Sequence, residues 1–273
     1  MNKGLKFLFG TSAGAVIILG LISFVQFQRD LKKADYRIQS QQQSILSRFG
    51  QIQYGEQGDG SPVMVVHGAG GGFDQALQVA KIFSQGFKWI APSRFGYLGT
   101  ALPNDASPEA QADAHADLLD ALDIDRIPII GLSAGGPSSV QFALRYPERC
   151  SGLVMVSAIS KAMIDVASNP EVMEKLISTL LANNWLIWLA TKLISRKIIP
   201  PAGVPFQVIK SLDENDTCWL QGLLNDILPI GPRRPGLVND FSQVYKLDIV
   251  PAGQIKLPTL IIHAKDDSLV SIK

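Results

Sequence analysis

The chain is short of histidine and cysteine and nearly balanced in charge, and each shortage removes a class of function. Its 273 residues include three histidines and two cysteines. Cys150 and Cys218 give neither a disulfide framework nor a metal-ligand spacing, so no metal site and no cofactor is expected. Against 25 Lys and Arg stand 24 Asp and Glu, and the formal net charge of +1 leaves no basic footprint for nucleic acid. No internal repeat is visible, and low complexity stops at Gln41-Gln42-Gln43. A glycine-rich run, Gly68-Ala69-Gly70-Gly71-Gly72, lacks the Lys-Ser or Lys-Thr pair that a phosphate-binding P-loop needs, so a nucleotide site fails on its missing partners.

What is present suits one large core with an inserted subdomain. Hydrophobic residues make up 47% and charged residues 18% of the chain, a balance that fits an α/β protein carrying a membrane segment. Residues 7–25 are dominated by Phe, Ile, Leu, Val, Ala and Gly, and no charge falls between residues 7 and 27. At about 1.5 Å rise per residue such a run is long enough to cross a bilayer core. Residues 1–30 are therefore expected to form a single-pass anchor with its transmembrane helix at about 7–27, the side of the membrane on which the rest of the chain lies being left open. Residues 31–48, polar and rich in Gln and Lys, read as a helical or flexible stalk. From Ile52 onward apolar strand-like runs at 63–66, 87–91 and 127–132 alternate with helical patterns at 107–122 and 137–145, which argues for a mainly parallel sheet covered by helices on both faces. The alternation breaks between 160 and 254, where helical periodicity runs over 171–194 and 208–228 around Ile199-Pro200-Pro201.

The segment with most chemistry in it is Gly131-Leu132-Ser133-Ala134-Gly135, directly after the apolar run Ile127-Pro128-Ile129-Ile130. A buried strand entering G-x-S-x-G and leaving as a helix lifts the serine hydroxyl clear of the sheet. Ser133 is then a candidate nucleophile, and it needs a base and an acid to orient that base. None of the three histidines is well placed for it. His67 is expected to brace the glycine-rich loop by hydrogen bonding, His115 to pack within its helix, and His263 to lie at a strand end four residues before Asp267. Two backbone N–H groups are candidates for an oxyanion hole: that of Ala134, just after the nucleophile, and that of Ala69, with Gly70 as runner-up.

From about residue 51 the chain resembles the α/β-hydrolase fold family. The resemblance is carried by an ordered set: His67-Gly68-Ala69-Gly70-Gly71-Gly72 after one strand, Pro92-Ser93-Arg94-Phe95-Gly96-Tyr97 after the next, the elbow at Ser133, Tyr146-Pro147-Glu148-Arg149, and Ala264-Lys265-Asp266-Asp267-Ser268-Leu269-Val270. It implies that residues 49–159 form the first part of a hydrolase core, 160–254 a helical cap, and 255–273 the second, incomplete part of the core. It also implies Ser133 as nucleophile and Asp267 as acid, with Asp266 as an adjacent competitor. The family's histidine would follow two to three dozen residues beyond the acid, so the chain reads either as a truncated copy of a longer hydrolase, the favoured reading, or as a protein that has lost its base. The activity implied is a serine hydrolase acting on an ester or related bond of a small, apolar acyl substrate. Alternatives are a non-catalytic capped-pocket binding protein, an inactive remnant, or a carbon–carbon hydrolase or cofactor-free peroxidase of the same fold. Gly68, Gly70, Arg94 and Trp188 are candidates for contacting substrate. For Arg94 the competing role is to tie its loop to its neighbours, and for Trp188, in the apolar run Trp185-Leu186-Ile187-Trp188-Leu189, it is to be buried within the cap.

Overall fold

The computed structural model describes residues 3–83, 86–162, 182–198, 206–248, 251–267 and 269–270, with Lys175 and Thr179 besides. Its strands are β1 (Gln42–Ser47), β2 (Gly50–Gln57), β3 (Ser61–Val66), β4 (Phe87–Pro92), β5 (Ile127–Leu132), β6 (Cys150–Val156) and β7 (Thr259–Ile262). They make one sheet in the order β1-β2-β4-β3-β5-β6-β7. β2 runs antiparallel to both β1 and β4, and every other neighbouring pair is parallel. The helices are α1 (Lys3–Gln41), α2 (Phe73–Ala80), α3 (Pro108–Ala121) and α4 (Gly136–Arg145), followed between β6 and β7 by α5 (Asn184–Ile198), α6 (Phe206–Ser211), α7 (Glu214–Asn225) and α8 (Arg234–Val244).

The central strands are apolar at successive positions because both of their faces are covered. Alternate side chains of a strand point to opposite faces. Val63 and Val65 of β3 accordingly meet Phe73, Ala76 and Leu77 of α2, while Met64 and Val66 meet Leu118 and Leu119 of α3 and Val140 and Phe142 of α4. α3 starts where its sequence provides a cap: Ser107 Oγ accepts from the Ala110 N–H at 3.2 Å and Pro108 occupies the first turn. In parallel α/β sheets the loops at the carboxyl ends of the strands gather on one side, and that is where Ser133, after β5, and the glycine-rich loop, after β3, meet.

Two expectations for the amino-terminal region are corrected. No helix among the described residues is long and apolar enough to cross a membrane, which overturns the single-pass anchor placed at about 7–27 and the membrane location that rested on it. α1 instead continues to Gln41 and docks along one stripe. Phe27, Leu31, Ala34 and Ile38 recur at helical spacing on that face, with Phe27, Ala34 and Ile38 buried and Leu31 partly so. Phe27 packs on Trp188 with ring centroids 5.9 Å apart, so a residue counted as the end of a lipid-facing run belongs to a protein core. The stalk expected over 31–48 is helical as far as Gln41, one of the two forms expected for it, but residues 42–47 depart from that expectation and form β1. In the region between β6 and β7, the helix expected over 171–194 is described from Asn184, and its earlier part lies outside the described residues apart from Lys175 and Thr179. Ile199-Pro200-Pro201, Ser268 and residues 271–273 lie outside them as well. The stretch 208–228 is two helices rather than one, because Asp213 caps α7 by accepting from the Asp216 N–H at 2.8 Å.

Candidate active site

Ser133 is built into a tight bend between β5 and α4. Its φ of 47° lies in the left-handed region, which is costly for a residue with a side chain and marks a position held by its surroundings. Those surroundings are close: a Cβ at Gly135 would come within 2.6 Å of the Val66 carbonyl oxygen and 2.7 Å of that of His67. Only glycine lets the bend press against the end of β3. Gly68 is pressed in the same way from the other side, since a Cβ there would lie 3.1 Å from Ser133 Cβ. The glycine-rich loop therefore passes directly over the nucleophile candidate.

Ser133, Ala69 and Ala134 line a single cavity of about 140 Å³, together with Arg94, Phe95, Asp240 and others. Ala69 is exposed whereas Gly70 is buried. The Gly70 N–H is spent on the Tyr97 hydroxyl, 3.1 Å away, so of the two loop donors Ala69 is the one turned to the cavity. Asp267 does not itself line the cavity. Its Oδ1 accepts from the N–H groups of Leu269 and Val270, each at 2.9 Å, and those two residues do line it. Asp266 is exposed. Trp188 is buried against α1, its Nε1 donating to Asp30 Oδ2 at 2.9 Å, and is not among the residues lining the cavity.

None of the three histidines lines the cavity. His67 is fully enclosed, and burial, helped by the nearby Arg94 charge, pushes its pKa well below the ordinary imidazole value. The neutral ring accepts the Arg94 N–H on Nε2 at 2.9 Å, which leaves the proton on Nδ1 to donate to the Gly68 carbonyl at 2.7 Å. Both ring nitrogens are thus committed to bracing the loop. His115 sits edge-on to Phe142, and burial lowers its pKa to about 3. His263 donates from Nε2 to the Val270 carbonyl at 2.6 Å and stands 3.5 Å from Asp267 Oδ2.

Two ionic groupings at the site were not read from the sequence. Arg94, considered alone there, is paired through both terminal nitrogens with Asp240 of α8 at 2.6 Å each. Burial works against the Arg94 charge, yet Asp240 outweighs it and holds the pKa above the ordinary arginine value. Tyr97, whose hydroxyl also donates to Asp240, is pushed well above the usual phenol range by burial and by that carboxylate. Behind the loop, Arg233 is fully buried and donates to the Gly71 carbonyl at 2.7 Å and to both oxygens of Asp74 at 3.0 and 2.7 Å. Arg37 of α1 reaches the same Asp74 at 2.9 Å and Asp226 at 2.8 Å. Nothing local in sequence marks these residues, because the partners lie 37 to 159 positions apart for Asp74 and 146 for Arg94 and Asp240.

Comparison with known proteins bears on the fold. A family model described as alpha/beta hydrolase fold matches residues 61–195. The uncharacterized hydrolase YcgS of Bacillus subtilis (strain 168) is 28% identical over 231 residues, 82% of this chain and 80% of its own length. A 2-hydroxy-6-oxononadienedioate/2-hydroxy-6-oxononatrienedioate hydrolase of Paraburkholderia xenovorans (strain LB400) is 26% identical over 227 residues, 81% of this chain and 75% of its own. Among solved structures, an alpha/beta hydrolase fold protein from Nakamurella multipartita is 28% identical and superposes with a TM-score of 0.68 over 85% of this chain and 83% of its own. The sheet order, the bend at Ser133 and these likenesses converge, and the chain belongs to the α/β-hydrolase fold family.

Proposed function

We propose that the chain is a serine hydrolase that cleaves an ester or related acyl bond of a small apolar substrate. The observation that supports this reading best is Ser133, strained at φ 47° and opening onto a cavity that Ala69 and Ala134 also line. In it the Ser133 hydroxyl attacks the acyl carbon, and the developing oxyanion is held by the N–H groups of Ala69 and Ala134. Losing one such donor typically costs about 10²–10³ in kcat. Asp267, already anchored through Oδ1 by two backbone N–H groups, is the acid that orients the base. In this reading the Ser133 proton passes to an imidazole that Asp267 orients, in the serine–acid–histidine order of the family; His67 is unsuited to that role because its Nε2 lone pair is engaged.

The test is labelling of the full-length protein with a fluorophosphonate probe, with Ser133→Ala as control, beside hydrolysis of p-nitrophenyl butyrate. Labelling and turnover that both vanish in the variant are the expected result. A full-length protein that is neither labelled nor active refutes the reading. Hydrolysis of a carbon–carbon bond in a 2-hydroxy-6-oxo acid is a second reading, favoured by the Paraburkholderia relative. It predicts turnover of such acids with little esterase activity.

A further inference from the structure

The cavity wall carries a charge pair whose two members come from different layers of the fold. Arg94 stands in the loop after β4 and Asp240 in α8, and both line the cavity with Ser133. Their side chains are 8% and 10% exposed. Each terminal nitrogen of the guanidinium donates to its own carboxylate oxygen, the Nε donates to the His67 carbonyl at 3.0 Å, and the Tyr97 hydroxyl completes the coordination of Asp240. A planar fork facing a carboxylate is how proteins commonly hold carboxylate ligands. Here the chain supplies that carboxylate itself.

Apart from the N–H groups assigned to the oxyanion, the rest of the wall offers a charged ligand no ionised partner. Among the described lining residues Arg94 and Asp240 are the only ionised ones, and Phe95, Pro108, Phe241, Val244 and Leu247 make much of the surface apolar. Of the wall amides, Asn239 donates to the Ala106 carbonyl at 3.2 Å, Gln243 donates to Asn239 Oδ1 at 3.4 Å, and the Gln111 oxygen accepts from the Phe95 N–H at 2.7 Å. A substrate carboxylate approaching Arg94 would have to displace Asp240 or lie against it, and like charges repel strongly where water is excluded.

We propose that Asp240 is the charge-selecting residue of this cavity: by occupying Arg94 it admits ligands with an uncharged acyl group and bars carboxylates. That the ligand is a substrate rests on the hydrolase reading above; the occupation of Arg94 does not. Asp240→Ala opens a carboxylate-sized gap in front of a buried guanidinium, so acetate is the probe. Thermal unfolding of the full-length protein, of Asp240→Ala and of the Arg94→Met/Asp240→Ala double variant is followed in sodium acetate and in sodium chloride of equal ionic strength. Saturating acetate is expected to raise the Tm of Asp240→Ala by roughly 5 °C and to leave the other two unchanged. Asp240→Asn, which keeps one acceptor for Arg94 and so folds more readily, carries a second readout. The wild type prefers p-nitrophenyl butyrate over mono-p-nitrophenyl glutarate by roughly 100-fold in kcat/KM, and the variant loses at least about tenfold of that preference. A folded Asp240→Ala protein indifferent to acetate overturns the proposal, and so does a wild type that cleaves both esters equally well. Acetate rescue without turnover of either ester supports the charge selection and removes the hydrolase reading.

Discussion

Asp226 sits at the C-terminal end of α7, 8% exposed, with Arg37 of α1 on one of its oxygens at 2.8 Å. Burial raises its pKa from 3.8 to about 6, with the Asp74 charge adding to the effect and the Arg37 charge opposing it without cancelling it. The folded chain therefore binds this proton more readily than the unfolded chain does. Its contribution to stability is intact below about pH 4, declines as pH rises from there, and is fully lost above about pH 6. A shift of about two units corresponds to a loss on the order of 3 kcal/mol at neutral pH. Asp226→Asn keeps the shape and an acceptor for Arg37 and lacks the ionisation. It should unfold at the same temperature as the wild type near pH 4 and at a higher one near pH 7.5. With roughly 2 °C of Tm per kcal/mol in a chain of this size, the gain is about 5 °C. Circular dichroism melts of both proteins at the two pH values decide it. A Tm for Asp226→Asn that is unchanged or lower at pH 7.5, or a gain of equal size at pH 4, refutes the reasoning.

Two further substitutions separate structural from functional roles. Trp188→Ala removes an indole packed on Phe27 and bonded to Asp30, so stability should fall by about 3–5 kcal/mol in a denaturant titration while the preference among acyl chain lengths stays unchanged. Gly68→Ala inserts a methyl group 3.1 Å from Ser133 Cβ, and kcat on the ester should drop by about 10²-fold with only a small change in Tm; an unaltered kcat would mean that the loop yields freely.

The parts of this molecule that could be read from the sequence are those whose signal is local. The bend at Ser133 announces itself within five residues because its glycines are required by contacts with the adjacent strand end, and the alternation of strands and helices follows from faces that are buried on both sides. The same reasoning misread the amino terminus, because it weighed the apolar content of residues 7–27 without the stripe Phe27, Leu31, Ala34 and Ile38 that continues beyond them onto the protein. It took residues 42–47 as stalk because β1 lies at a sheet edge and is mostly exposed, so its side chains carry little hydrophobic pattern. It could not find Asp240 or Arg233 at all. Each acts on the site from a helical region with no motif of its own, through ionic contacts that only the folded chain creates.

Asp74 ties three distant stretches of this chain together. Its two cations arrive from opposite directions, Arg37 from before the first strand and Arg233 from well after the sixth. Closing pairings so distant along the chain costs only slightly more than closing nearer ones, but contacts of this kind are associated with slower folding. Arg233 also grips the carbonyl of Gly71, so the loop over Ser133 gains this tie only when the last helices have docked. Any opening of that segment releases the Gly71 carbonyl, so the loop over Ser133 is held only as firmly as the helices that close over it.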